Sequence, residues 1–439
     1  MLPALNSAAM QTQDRADPPC PHFGSCGGCQ LQHLTYAAQF SDKAAQLRAL
    51  LEAAGLTLPE LQLHPSPPLA YRNRIRLTLA ELDGQFRAGY IRQAIAASTL
   101  NQDEAVIPTG ALGEPETSRI GGVEGPPHCA RAATETSLSF LPIRECPIAA
   151  PVLWHATEAF LALLNQAASL WLRSPQQIPD QLELFTTSDE SHLQLTLYLR
   201  TAAKALPKKL TIGFTALCDA LLTRVPRLNG AGIALLPALS TQRSRRAEQP
   251  RPGPSWGSLG LIYRVAETDY WVPRGAFFQV NRFLLPELLT LVTTNRTGQL
   301  AFDLYAGVGL FSRALAKHFT QVTAVEIAEP AATALASTKL ANLRAIKATT
   351  LDFLRAAVLE RDRLEIIVLD PPRSGAGPEV CALLARFAAP TLVYVSCSPE
   401  TLPADLTTLT ASGYTLAELH VFDLFPQTTH IETVAILTR

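Results

Sequence analysis

Phe302-Asp303-Leu304-Tyr305-Ala306-Gly307-Val308-Gly309-Leu310 decides the fold. It reads as an apolar strand, a glycine-rich turn and the start of a helix. Glycines 307 and 309 let the backbone come close to a ligand where a Cβ would clash. Downstream, short apolar strands alternate with Ala/Leu-rich helices: Val322–Glu326, Ile366–Asp370, Leu392–Ser396 and Val434–Leu437. That alternation predicts an α/β fold with a mostly parallel, doubly wound sheet and helices on both faces. In such sheets ligands bind outside the carboxyl ends of the strands, and the candidate site residues cluster at those ends.

A dinucleotide-binding turn wants a third glycine three residues after Gly309, but Ser312 stands there. S-adenosylmethionine therefore suits the turn better than NAD. Glu326 closes the following strand, where a carboxylate can accept from ribose hydroxyls. Tyr305 lines the cofactor pocket or is a core aromatic beside the turn. Asp352, after a third apolar stretch, is an adenine-contacting acid or a helix N-cap.

Two further strand ends carry reactive side chains. Asp370-Pro371-Pro372-Arg373 has prolines that stiffen the exit loop, and Ser396-Cys397-Ser398-Pro399 ends the next strand. A buried cysteine after a strand is ordinarily a small hydrophobe, the reading that suits Cys218 and Cys381. Cys397 differs because Ser and Pro flank it beside the predicted crevice. A thiolate there suits methylation of carbon 5 of a uracil: addition to carbon 6 makes carbon 5 nucleophilic, and a base then removes the carbon-5 proton. Glu432, just before the final strand, is the candidate base and His430 its rival.

These segments resemble the bacterial tRNA/rRNA uracil-5-methyltransferase family. The motifs are CPHFGSCGGCQ (20–30), YRNRIRL (71–77), ECPI (145–148), FFQVN (277–281), DLYAGVGLF (303–311), DPPRSG (370–375), VSCSPETL (395–402) and FPQTTHIETV (425–434). The resemblance runs from Cys20 to Arg439. It implies a Rossmann-like class I S-adenosylmethionine methyltransferase domain behind an N-terminal α+β iron–sulfur and RNA-binding region. It implies Cys397 as nucleophile and Glu432 as base. Gln279, Tyr305, Glu326 and Asp370 match cofactor contacts, alongside Gly307 and Gly309 of the turn, with Asp352 a further candidate. Phe277 matches an aromatic near the flipped target base. Read on its own residues, FFQ is strand core with one polar side chain.

Cys20-x5-Cys26-x2-Cys29 is a metal-type cluster in a chain with eight cysteines. With the distant Cys146 it offers four thiolates, which suit zinc or an iron–sulfur cluster. The resemblance implies a [4Fe-4S] cluster with Cys146, in ECPI, as the fourth ligand. Cys129 is the rival and lies in a Gly/Pro/Thr-rich stretch, 93–140, that reads as an insertion. The cluster favours the 23S rRNA branch. A tRNA target, or a non-catalytic RNA-binding assembly factor, are the alternatives.

The whole chain has 439 residues, 47% hydrophobic and 17% charged, with a formal net charge of −1. That length suggests two or three domains: a disordered tail over 1–19, a cluster and RNA-binding region over 20–270, and the methyltransferase domain over 271–439. Near-neutral charge argues mildly against a nucleic-acid binder, though local basic patches still act over about 8–10 Å. Arg72, Arg74 and Arg76 alternate along one face of a predicted half-buried strand, set to meet phosphates or plain solvent. Residues 240–258, with Arg243, Arg245, Arg246 and Arg251, read as a mobile loop. Only nineteen residues precede Cys20, so no RNA-binding extension of the kind some relatives carry is expected. No secretory signal is visible in 1–19, and the stretch 160–172 is interrupted by Asn165 and Gln166 and too short for a bilayer. The expectation is a cytoplasmic protein, with RNA as partner, no membrane and no obligate protein partner.

Overall fold

The computed structural model describes residues 14–93, 138–167, 179–203, 206–237, 250–358 and 364–439. The chain opens with α1 (Tyr36–Ala53), whose N-cap Thr35 accepts from the Ala38 N–H. Strand β1 (Leu61–His64) follows, then β2 (Arg74–Leu82), β3 (Gln85–Gln93) and β4 (Leu138–Pro142). Next come α2 (Pro151–Ala167), β5 (Gln181–Thr186), β6 (Leu193–Arg200), α3 (Lys208–Arg224), β7 (Leu228–Leu236) and β8 (Arg251–Gly257). Among the described residues β2 to β8 form one seven-stranded sheet in the order β4-β3-β2-β5-β6-β7-β8. Helices α2 and α3 pack on it around Leu153, Phe160, Phe214 and Leu221.

A hairpin of β9 (Gly260–Val265) and β10 (Thr268–Pro273) leads into α4 (Leu285–Thr293). The α/β unit then runs β11 (Gly298–Leu304), α5 (Leu310–Leu315), β12 (Phe319–Val325), α6 (Ala331–Ala336), β13 (Leu343–Ile346), α7 (Thr350–Ala357) and β14 (Ile366–Leu369). It ends with α8 (Pro378–Phe387), β15 (Thr391–Ser396), α9 (Leu402–Ala411), β16 (Thr415–Phe422) and β17 (Glu432–Thr438). The strand order is β1-β16-β17-β15-β14-β11-β12-β13. Neighbours are parallel except where β17 runs antiparallel to both β15 and β16. Alternate strand residues feed two cores: Ala301, Val368 and Val395 face one, and Phe302, Leu369 and Tyr394 the other. Strands buried on both faces read as near-continuous apolar runs, which is why this half was legible.

Several expectations change. The two cores do not divide at residue 270: Phe40, Leu47 and Leu51 of α1 pack into the second core of the α/β sheet. Strand β1 joins that sheet beside β16, and the β9–β10 hairpin packs on its first core. The tail is ordered from residue 14, where the Thr35 N–H donates to the Asp14 carbonyl and Ala16 N–H to His33. Residues 251–257, expected in a loop, are strand β8 paired with β7. Arg243, Arg245 and Arg246 lie outside the described residues, as do most of the 93–140 stretch and Cys129. No described helix is long and apolar enough to cross a membrane.

The arginine row is also corrected. Arg76 binds Glu183 on β5 through Nε and Nη2, at 3.0 and 2.7 Å. Buried Arg74 lies 4.2 Å over the Phe185 ring and donates to the Ala276 carbonyl at 2.8 Å. Arg72 precedes the strand. Its backbone bridges Ala149 on one side and Asn281 on the other. Arg74 and Arg76 are thus spent on internal partners, because a neighbouring strand covers much of the second face of β2.

Candidate active site

The sheet register assembles the site. Leu304 of β11 pairs with Val325 of β12 and with Leu369 of β14. One residue past each strand stand Tyr305, Glu326 and Asp370. Leu369 pairs with Tyr394 of β15, and Ser396 pairs with Thr433 of β17. One more step along that antiparallel ladder sets Cys397 opposite Glu432. Five side chains from five strands therefore meet at one sheet edge, each where its backbone ladder ends.

The turn after β11 is an open cradle. Tyr305 and Gly307 have φ of 60° and 57°, and a Cβ added at Gly307 would meet nothing within 4 Å. Gly309 caps α5 at φ 90°, an angle that strains any residue with a Cβ. Glu326 Oε2 accepts from the Gly307 N–H at 2.8 Å, and Oε1 from Ala328 at 2.6 Å. The carboxylate thus holds the turn in shape as well as facing it. Tyr305 is half-buried against the second core. Asp303 is fully buried with Oδ2 accepting from the Ser312 N–H at 2.8 Å. Burial, opposed by the Ser312 bonds, pushes its pKa up to about 7. Asp352 is exposed in the first turn of α7, where its N–H and carboxylate both bond the Thr349 hydroxyl. The N-cap of α7 is Thr349, so Asp352 is not the cap itself but a first-turn acid beside it.

Gln279 is buried and sends Nε2 to Asp370 Oδ2 at 3.4 Å. Its segment is no strand, which corrects the reading of FFQ as strand core. Phe278 is buried, while Phe277 projects outward at 53% exposure. The segment is braced by residues 71–73: Asn73 Nδ2 donates to the Gln279 carbonyl at 2.9 Å, and the Asn73 N–H to Val280. The two motifs YRNRIRL and FFQVN are one structural unit.

The chemical end is strongly acidic. Burial and then the Glu432 and Asp370 carboxylates push the half-buried Cys397 thiol up to about 12, against the Arg373 cation. Glu432 is 1% exposed, and its Oε1 makes no hydrogen bond among the described residues. Burial and the Asp370 charge hold its carboxyl well above the usual range. Asp370 rises to about 7 through burial and then the Asp303 charge. His430, the rival base, is exposed, its Nε2 3.4 Å from Arg373. Arg373 and Asp303 were not singled out from sequence. Both lie inside quoted motifs, but only their placement between the other acids gives them electrostatic weight.

Cys20, Cys26 and Cys29 on one loop and Cys146 in the turn before α2 lie near enough to feel one another's charge. Three of them have partners suited to a thiolate: the Gly28 N–H for Cys26, the Gln32 side chain for Cys29 and the Ala149 N–H for Cys146. Burial and mutual repulsion raise Cys29 to about 11 and Cys146 to about 12, with Arg72 opposing. Among the described residues no three His, Cys, Asp or Glu side chains stand close enough to hold a metal ion as they are.

The sequence profile of the tRNA (uracil-5-)-methyltransferase family matches residues 260–439. A 23S rRNA (uracil(1939)-C(5))-methyltransferase RlmD from Chromohalobacter salexigens is 27% identical over 431 residues, covering 97% of this chain and 77% of the relative. An uncharacterized RNA methyltransferase from Thermotoga maritima is 27% identical over 443 residues, covering 99% of this chain and 87% of the relative. The crystal structure of Pyrococcus abyssi tRNA (uracil-54, C5)-methyltransferase in complex with S-adenosyl-L-homocysteine aligns with a TM-score of 0.65 at 21% identity. It covers 94% of this chain and 86% of that one. The fold is therefore that of the S-adenosylmethionine-dependent methyltransferases, with mixed α/β sheets.

Proposed function

We propose that the protein methylates carbon 5 of a uridine in RNA, with Cys397 as nucleophile and Glu432 as general base. The observation that carries this is the β15–β17 register, whose continuation past Ser396–Thr433 runs toward Cys397 and Glu432, a buried carboxylate whose Oε1 has no hydrogen bond among the described residues. A methyltransferase acting on an exocyclic amine needs no such thiol.

S-adenosylmethionine supplies an electrophilic methyl group when bound. The open turn at Gly307, with Tyr305, Gly309, Glu326, Gln279 and Asp370 around it, fits that ligand. Asp352, exposed in the first turn of α7, keeps carboxylate lone pairs free for the adenine end of that ligand. The exposed Phe277 ring would stack on a uracil taken out of its helix. The Cys397 proton passes to solvent, its sulfur bonds to carbon 6, and the 5,6 π pair moves into an enolate, which makes carbon 5 the nucleophile; a methyl taken from the bound sulfonium would leave a neutral thioether behind. Glu432 then removes the carbon-5 proton, the 5,6 double bond re-forms, and the sulfur–carbon-6 bond breaks to return the thiolate. A thiol near 12 is almost wholly protonated at neutral pH. Arg373, which lowers both the thiol and the Glu432 carboxyl, therefore favours the attacking state.

Cys20, Cys26, Cys29 and Cys146 fit a [4Fe-4S] cluster by donor chemistry: four thiols, three of them with N–H or amide partners, and the Arg72 cation beside Cys29 and Cys146. Such a cluster would hold the N-terminal region together, since methyl transfer moves no free electron. The preferred substrate is 23S rRNA, supported by these four cysteines and by the Chromohalobacter relative that aligns along the chain. Incubating the protein with 5-fluorouridine-substituted 23S rRNA and tRNA fragments tests the target. A covalent adduct on the rRNA fragment is expected. An adduct confined to tRNA would move the assignment to that substrate.

A further inference from the structure

The loop before Glu432 is gripped by the cysteine-bearing end of the chain. Gln427 lies five residues ahead of Glu432 and has φ of 69°, a conformation that residues with a Cβ keep only when their surroundings over-determine it. Its carbonyl accepts from the N–H groups of Gln30 and Leu31, both at 3.0 Å. These two residues directly follow Cys29. Its own N–H donates to Gln39 Oε1 at 3.1 Å, and its Oε1 accepts from Gln39 Nε2 at 3.0 Å. Gln39 Nε2 also reaches the Leu34 carbonyl at 2.9 Å.

Gln39 and Gln427 are 1% and 6% exposed. Burying two amides is unfavourable unless their polar atoms are paired, and Gln39 uses both side-chain donors and its acceptor. An apolar pair would fill this volume as well but would leave the backbone angle of Gln427 undetermined. Thr428 then closes the turn onto Phe425, and the chain enters β17 at Glu432.

We propose that the Gln39–Gln427 pair, backed by the N–H groups of Gln30 and Leu31, is the positioning device that delivers Glu432 to Cys397. It thereby ties proton removal to the cysteine-bearing loop. The inference rests on the proposed function. Gln39 and Gln427 touch no reacting atom; they act through the loop. Glu432 is the first residue of β17, where the loop they hold enters the sheet, whereas Cys397 follows β15 away from that loop; their loss spares attack by Cys397 and slows the step that needs the base.

The test is Gln39→Leu in the full-length protein, followed through one turnover. Adduct formation with 5-fluorouridine RNA is expected within about threefold of the unaltered protein. Release of methylated product from ordinary uridine RNA should fall at least tenfold, with the covalent intermediate accumulating and KM for S-adenosylmethionine unchanged. If Gln39→Leu does not fold, Gln427→Gly carries the same test, because glycine accepts the left-handed angle while losing the side-chain bond. Unchanged release, or attack and release falling together, overturns the positioning role. Failure of the unaltered protein to form the fluorouridine adduct counts instead against the function itself.

Discussion

Replacing Glu432 by Gln should push the two halves of the reaction in opposite directions. With the thiol near 12, only about 3 in 100,000 molecules carry a thiolate at pH 7.5. The Glu432 carboxylate is the second cause of that rise, after burial. Glu432→Gln removes the charge and keeps the shape, so the thiol moves down toward its ordinary 9 and attack on carbon 6 should not slow. Proton removal loses its base, which typically costs about 10²–10⁴ in rate, or about 3–5 kcal/mol of barrier. The assay follows labelled methyl from S-adenosylmethionine into uridine RNA, quenched in denaturant and separated into free RNA and protein-bound RNA. The labelled methyl should sit on protein-bound RNA and leave it 10²–10⁴ times more slowly than in the unaltered enzyme. Turnover at the normal rate, or no adduct while RNA and cofactor still bind, would refute the assignment of the base.

Three further outcomes follow from the same geometry. Cys397→Ala should abolish methylation and leave S-adenosylmethionine affinity within about twofold, checked by calorimetry, because the cradle is built on other strands. Asp303 titrates near 3.8 unfolded but near 7 in the fold. The folded chain then holds the extra proton between these values, so its stability falls as pH rises from about 4 to 7. The fall reaches about 4 kcal/mol at most. Asp303→Asn should flatten melting temperature against pH in that window, with Asp370, which shares the sign, keeping part of the slope. Arg76→Met should destabilise the fold by about 3–5 kcal/mol by stranding buried Glu183, toward the lower end because Arg74 stays 4.0 Å from it. The salt dependence of RNA binding should not change.

The α/β half was legible because its strands are buried on both faces and its glycines demand a tight turn, so strand ends and site residues could be read together. Cys397 and Glu432 could be proposed from sequence as reactive side chains, but their mutual alignment comes from the antiparallel insertion of β17, which no local pattern encodes. Arg74 and Arg76 misled because strand alternation cannot tell a solvated face from one covered by a neighbouring strand's carboxylate. FFQ misled because its backbone is set by Asn73, some two hundred residues away. The grip on Gln427 was invisible for the same reason: Gln39 lies 388 residues from it. Residues 251–257 looked like a loop for their prolines and glycines, which edge strand β8 tolerates.

The most direct measurement is mass spectrometry of the protease-digested adduct formed with 5-fluorouridine RNA and S-adenosylmethionine. The expected result is one peptide carrying Cys397, bonded to a nucleotide that has gained a methyl group. An adduct on any other residue, or methylated RNA released with no covalent intermediate at Cys397, would contradict the account.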